Sequence, residues 1–158
     1  MKSAVLLIIL FAVTFTTSTW ACPDLAGQYH CGPGWDEMSG DITILQKQDE
    51  SDPQSVVYTI QHHGKDDVII KTDQKTSSIT YPPNYQNEWA SLSAIYSYSC
   101  KDNSVVGISS WSAVDVDGTK SNWIVQDERR LLPNGNILAT AVPSFDPNYP
   151  RQAECTKQ

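Results

Sequence analysis

Short runs of alternating apolar and polar residues, separated by turn signals about every 8–12 residues, most constrain how this chain can fold. The clearest run is 91–100, where Leu92, Tyr96 and Cys100 fall on one face and most serines on the other. Successive side chains of a strand point to opposite faces of its sheet. The run therefore predicts a β-strand with one buried face.

Eight to ten such strands follow one another with no helical stretch of useful length among them. The other candidate runs are 25–31, 41–46, 55–61, 67–71, 77–81, 104–111, 122–130, 137–142 and 152–157. The turn residues Pro133-Asn134-Gly135 separate two of them, as in a tight hairpin. This order predicts an all-β fold, an antiparallel up-and-down meander closed into a small barrel. A two-sheet sandwich is the alternative.

The first 21 residues have the pattern of a secretory signal peptide. Lys2 is followed by the apolar run 4–13, and Ala21 is a small residue directly before Cys22. The apolar run is shorter than the roughly 20 residues that a spanning helix needs. We therefore expect residues 1–21 to be removed, 22–158 to form one domain, and the protein to be secreted or periplasmic. A lipid on Cys22 is the alternative, which the bulky Trp20 opposes.

All four cysteines follow the predicted leader, so an oxidising compartment would join them in two disulfides. The strand between Cys22 and Cys31 holds their Cα atoms farther apart than the roughly 7 Å limit for a disulfide. This excludes that pair and leaves two pairings open. A closed meander brings the end of the last strand to the start of the first. The favoured disulfides are therefore Cys22–Cys155 and Cys31–Cys100.

The charge and the motifs argue against several classes of function. The net charge is −7, so we expect no nucleic-acid partner. Neither a nucleophile elbow nor a full calcium loop is present. The pair His62-His63 and the segment 115–118 are typical of turns. We expect a monomer that is not an enzyme, spans no membrane and carries no cofactor or metal.

The tyrosines provide the remaining functional signal. Tyr29, Tyr58, Tyr96 and Tyr98 fall on the apolar faces of their strands, which line the interior of a barrel. They could hold a small hydrophobic or amphipathic ligand, and an interior void above about 300 Å³ would favour this function. Alternatively the rings fill the barrel, and the protein is a structural or interaction protein of the cell envelope. Its loops 82–90 and 143–150 would then meet the partners.

The segment 22–31, with Gly27-Gln28-Tyr29 at its centre, resembles the start of small exported bacterial lipocalin-like (calycin-like) proteins. Those chains begin with a Gly-x-Trp or Gly-x-Tyr strand and continue as a meander. Lipocalins usually have Trp where Tyr29 stands. The resemblance implies a β-barrel with a hydrophobic small-molecule site, and it identifies no ligand.

Overall fold

A computed structural model describes residues 22–33, 38–62, 64–83 and 88–158, so the predicted leader lies outside the described residues. These ranges contain ten strands, and the all-β prediction is confirmed. The strands are β1 (Gly27–Cys31), β2 (Gly40–Asp49), β3 (Asp52–His62), β4 (Val68–Lys71), β5 (Ser77–Thr80), β6 (Trp89–Lys101), β7 (Ser104–Asp115), β8 (Lys120–Leu131), β9 (Ile137–Pro143) and β10 (Arg151–Lys157).

The strands form one antiparallel sheet in the order β4-β3-β2-β1-β10-β9-β8-β7-β6-β5. The predicted meander is confirmed, and the first and last strands pair at the centre of the sheet. The expected full closure is not found, because no ladder joins the edge strands β4 and β5 within the described ranges. The sheet is a curled half-barrel. Because β1 and β10 pair with each other, the two edges of the sheet are strands from the middle of the sequence, β4 and β5.

Backbone hydrogen bonds connect the two sides of the sheet at the segment 72–74, which we call the strap. The Thr72 N–H donates to the Val56 carbonyl of β3 at 3.0 Å. Two residues later, the Gln74 N–H donates to the Tyr98 carbonyl of β6 at 3.1 Å. The chain therefore changes partner at the strap, from β3 to β6, and continues into β5.

A packed core fills what we call the closed end, built from β1–β4, β10 and the adjoining ends of β6–β9. Its buried members include Leu25, Tyr29, Met38, Ile42, Ile44, Tyr58, Ile60, Ile70, Val105 and Ile137. Burying an aliphatic or aromatic side chain of this size contributes about 1.5–3 kcal/mol. The Tyr58 hydroxyl also donates to the Pro23 carbonyl at 2.7 Å, which holds the segment before β1 over the core.

The disulfides are Cys22–Cys100 and Cys31–Cys155, so the favoured pairing of Cys22 with Cys155 and of Cys31 with Cys100 is wrong. The register explains the difference. Cys31 lies directly opposite Cys155 in the β1–β10 ladder. Cys22 precedes β1 and lies outside the β1–β10 ladder, which pairs only residues 29–31 of β1. Cys22 is instead joined to the end of β6, close to the strap.

The two disulfides are consistent with an oxidising environment. Within the part of the chain that the structure describes, no helix is long and apolar enough to span a membrane.

Candidate functional site: the aromatic face of the arm

The four predicted site tyrosines lie in two different surroundings. Tyr29 and Tyr58 are 0% and 1% exposed and belong to the core of the closed end. Burial raises the pKa of both hydroxyls, and the charge of Asp24 raises it further. Tyr96 and Tyr98 are half-buried, and their ring centroids lie 5.9 Å apart. Tyr98 also packs against the core that contains Tyr29 and Tyr58, so the four tyrosines differ in burial.

The long strands β6, β7 and β8 extend past the closed end together with β5. We call this extension the arm; it consists of 77–80, 89–96, 108–115 and 120–126. Directly paired residues of neighbouring antiparallel strands share a face. Trp111 and Trp123 are such a pair, and they lie on the concave face of the sheet, the one that continues into the core.

Four aromatic rings cluster on this face, and we call them the aromatic array: Tyr81, Trp89, Trp111 and Trp123. The Trp111 and Trp123 rings are parallel to within 2°, with centroids 6.0 Å apart. Tyr81 stacks on Trp111 at 6.2 Å, and Trp89 lies 6.0 Å from Trp123. All four side chains are half-buried. The array is a surface on which a ligand could lie.

Small residues make room for the rings. Ala94 lies opposite Trp111, and Ala113 lies two residues after Trp111 in β7. They are 4% and 2% exposed, so larger neighbours cover them. The Trp111 Nε1–H donates to the Ser109 hydroxyl oxygen at 2.8 Å, which fixes the orientation of this indole. This hydrogen bond and the small neighbours therefore fix the position of Trp111 within the array.

Gly107 marks the boundary between the arm and the closed end. A Cβ atom at this position would lie 2.2 Å from the Tyr98 ring and 2.6 Å from the Asp127 carboxylate. The absence of a side chain thus lets both groups lie against β7. Asp127 forms a buried ion pair with Arg129, whose guanidinium carbon lies 5.8 Å from the centre of the Tyr98 ring.

A half-open cleft of about 410 Å³ lies on the opposite face of the same strands. Its lining includes two rows of cross-strand partners, Ser97-Ile108-Gln126-Val142 and Ser99-Val106-Glu128-Thr140. Of the predicted tyrosines, only Tyr98 contributes to it. The cleft exceeds the volume that we set for a ligand site, but it is not the tyrosine-lined interior void that the sequence suggested.

The other motifs lie in a turn and at a strand end. The segment 115–118 is the turn between β7 and β8, where the Gly118 N–H donates to the Asp115 carbonyl at 3.0 Å. His62 is buried at the end of β3, and His63 lies outside the described residues. Among the described residues, no group of three or more His, Cys, Asp or Glu side chains could hold a metal ion.

Sequence reasoning assigned no site to the tryptophans, although a signal for them was present. Trp111 and Trp123 are equally distant from Asp117, in the turn that joins their strands. Residues equidistant from a hairpin turn pair across its ladder. Their pairing, and the shared face, could therefore have been predicted from the turn.

No protein-family model, curated protein or solved structure matches this chain. The lipocalin-like resemblance therefore stays a prediction from the sequence.

Proposed function

We propose that this protein is an exported, non-enzymatic binding protein, secreted or periplasmic, whose small hydrophobic or amphipathic ligand lies on the aromatic array. The observation that carries the proposal is the cluster of four half-buried rings at spacings of 6.0–6.2 Å on one concave face. Contiguous apolar surface left open to solvent is typical of interaction sites.

The interior of the closed end supports this location of the ligand. Tyr29 and Tyr58 pack among aliphatic side chains there, so their rings act as core residues. The arm offers rings of the same chemical kind with one side open. An aromatic contact contributes about 0.5–1.5 kcal/mol beyond the apolar area it buries. Several such contacts are available to a ligand on the array.

An apolar fluorescent probe tests the proposal. We expect the folded, disulfide-bonded protein to bind the probe and to change its tryptophan fluorescence. The double variant Trp111→Ala/Trp123→Ala should lose most of this binding. The control is Leu45→Ala, which truncates an apolar side chain that is 51% exposed on β2, outside the arm. Equal probe binding by the double variant and the control would contradict the proposal.

The second candidate is an interaction protein of the cell envelope. Ile95, Ile108 and Ile124 lie on adjacent strands, share the outer face of the arm, and are 53%, 50% and 44% exposed. A protein partner would cover this surface. In that case Ile108→Asp would release the protein from a complex in envelope extracts, whereas Trp111→Ala/Trp123→Ala would leave the complex intact.

A further inference from the structure

We infer that the ligand of the aromatic array is a neutral glycan, a chain of uncharged hexopyranose rings that lie on the aromatic side chains. The inference rests on the proposed function, because it names the class of ligand for the same surface. Three properties of the array carry it: its openness, its repetition and its lack of positive charge.

The array is open on one side. Its rings are half-buried, and the sheet that carries them is not closed. A ligand lying there keeps one side in water, so a wholly apolar molecule would leave much of its surface exposed to solvent. A hexopyranose has C–H groups on the faces of its ring and hydroxyl groups around its rim. It can therefore pack against an aromatic ring while its hydroxyls stay hydrated.

The array is also repetitive. Tyr81, Trp111 and Trp123 follow one another across the strands at centroid spacings of 6.2 and 6.0 Å, and Trp89 lies beside Trp123. A compact molecule would cover one or two of these rings and leave the others to solvent. A ligand made of repeated rings can place successive units on successive side chains, so a chain of sugars uses the whole surface.

The array and its ladder neighbours include no basic residue. Leu92, Ala94, Ser109, Ala113, Ser121 and Val125 share its face and adjoin it in the ladders, and none of them ionises. The one ionisable neighbour among the ladder partners, Asp115 opposite Trp89, is acidic. Farther along the same face, Arg129 is already paired with Asp127. With a net charge of −7, the protein repels polyanions. An acidic polysaccharide would gain no ion pair on the array, so the inferred ligand is neutral.

Titration with cellohexaose, a neutral β-linked glucose oligosaccharide, tests the inference in the unmodified protein. We expect the indole N–H signals of Trp111 and Trp123 to shift in ¹H–¹⁵N spectra. Native gels that contain hydroxyethyl cellulose should retard the protein, and gels that contain polygalacturonate should not. The variant Trp111→Ala/Trp123→Ala should bind cellohexaose at least about tenfold more weakly, the loss that about 1.4 kcal/mol represents. Leu45→Ala should bind as the unmodified protein does.

Folding of each variant is checked by the far-ultraviolet spectrum and the disulfide content. The conservative Trp111→Phe/Trp123→Phe variant replaces the alanine variant if that one fails to fold, and it should retain part of the retardation. Probe binding at the array without any response to cellohexaose would overturn the glycan inference and leave the proposed function standing. Equal retardation by polygalacturonate would also overturn it. If the unmodified protein binds neither the apolar probe nor cellohexaose, the proposed function itself is contradicted.

Discussion

The closed end and the arm are both built from alternating strands, yet the apolar face is enclosed in the closed end and only partly buried in the arm. At the closed end, β1–β3 and β10 face the ends of β7–β9, so Tyr29 and Tyr58 are enclosed on all sides. In the arm, the rings of Trp111 and Trp123 lie on a single layer of sheet and stay half-buried. The comparison teaches that the alternation of residues determines which face of a strand is apolar. Whether that face becomes part of a core depends on an opposing layer of strands.

Strand length explains why the arm has no opposing layer of strands. The five-residue β1 ends within the closed end, while β6, β7 and β8 have 13, 12 and 12 residues. At about 3.3 Å per residue, the longer strands extend well beyond their partners. The arm is therefore the part of the long hairpins that finds no opposing strands. The following predictions test this contrast.

The largest effect should follow removal of the disulfide at the closed end. We expect Cys31→Ser/Cys155→Ser to lower the free energy of unfolding by about 4–5 kcal/mol, because this bond joins residues 124 apart in sequence. Denaturant unfolding of both forms measures the change. A loss no larger than that of Trp123→Ala would show that the closed end does not dominate stability.

Truncation of one ring in each region compares the regions directly. Tyr58→Ala should lower the free energy of unfolding by about 3–5 kcal/mol, because it opens a cavity in the core and removes the hydrogen bond to Pro23. Trp123→Ala, which removes a larger ring, should have at most about half this effect, since its indole lies on a single layer of sheet and is only partly buried. Equal losses would mean that the array is a second core.

A methyl group at the boundary should disturb both regions moderately. We expect Gly107→Ala to lower the free energy of unfolding by about 1–3 kcal/mol, because its Cβ would overlap the Tyr98 ring. The aromatic proton signals of Tyr98 should shift at the same time. Ser97→Ala, a change on the opposite face of β6, is the control. Unchanged stability and unchanged Tyr98 signals in Gly107→Ala would contradict this packing.

The smallest effect concerns acid stability at the closed end. Hydrogen bonds from Lys71 and then Ser51 lower the pKa of Asp49 from 3.8 to about 2. A lowered pKa in the folded state adds stability above the unfolded value, and this stability is lost as pH falls from about 4 to 2. Asp49→Asn should therefore flatten the pH dependence of the melting temperature in this window. The same slope in both proteins would contradict the prediction.

Local pattern was enough to predict the strands, because alternation in runs such as 91–100 depends on neighbours alone. Features that depend on register were harder. The disulfide partner of Cys31 follows from its position opposite Cys155, which requires the β1–β10 ladder to be placed to the residue. Whether the sheet closes also depends on the lengths of its edge strands, and β4 and β5 have only four residues each. The candidate site was equally hard to predict, because the aromatic array forms only when Trp111 and Trp123 pair across two strands.

The account depends on a filled closed end and a binding face on the arm. Backbone ¹H–¹⁵N spectra, recorded while the apolar fluorescent probe is titrated into the disulfide-bonded protein, test this most directly. We predict that the shifts concentrate in 89–96, 108–115 and 120–126 and in the indole signals of Trp111 and Trp123. Shifts centred on Tyr29 and Tyr58, with the arm unaffected, would contradict the account.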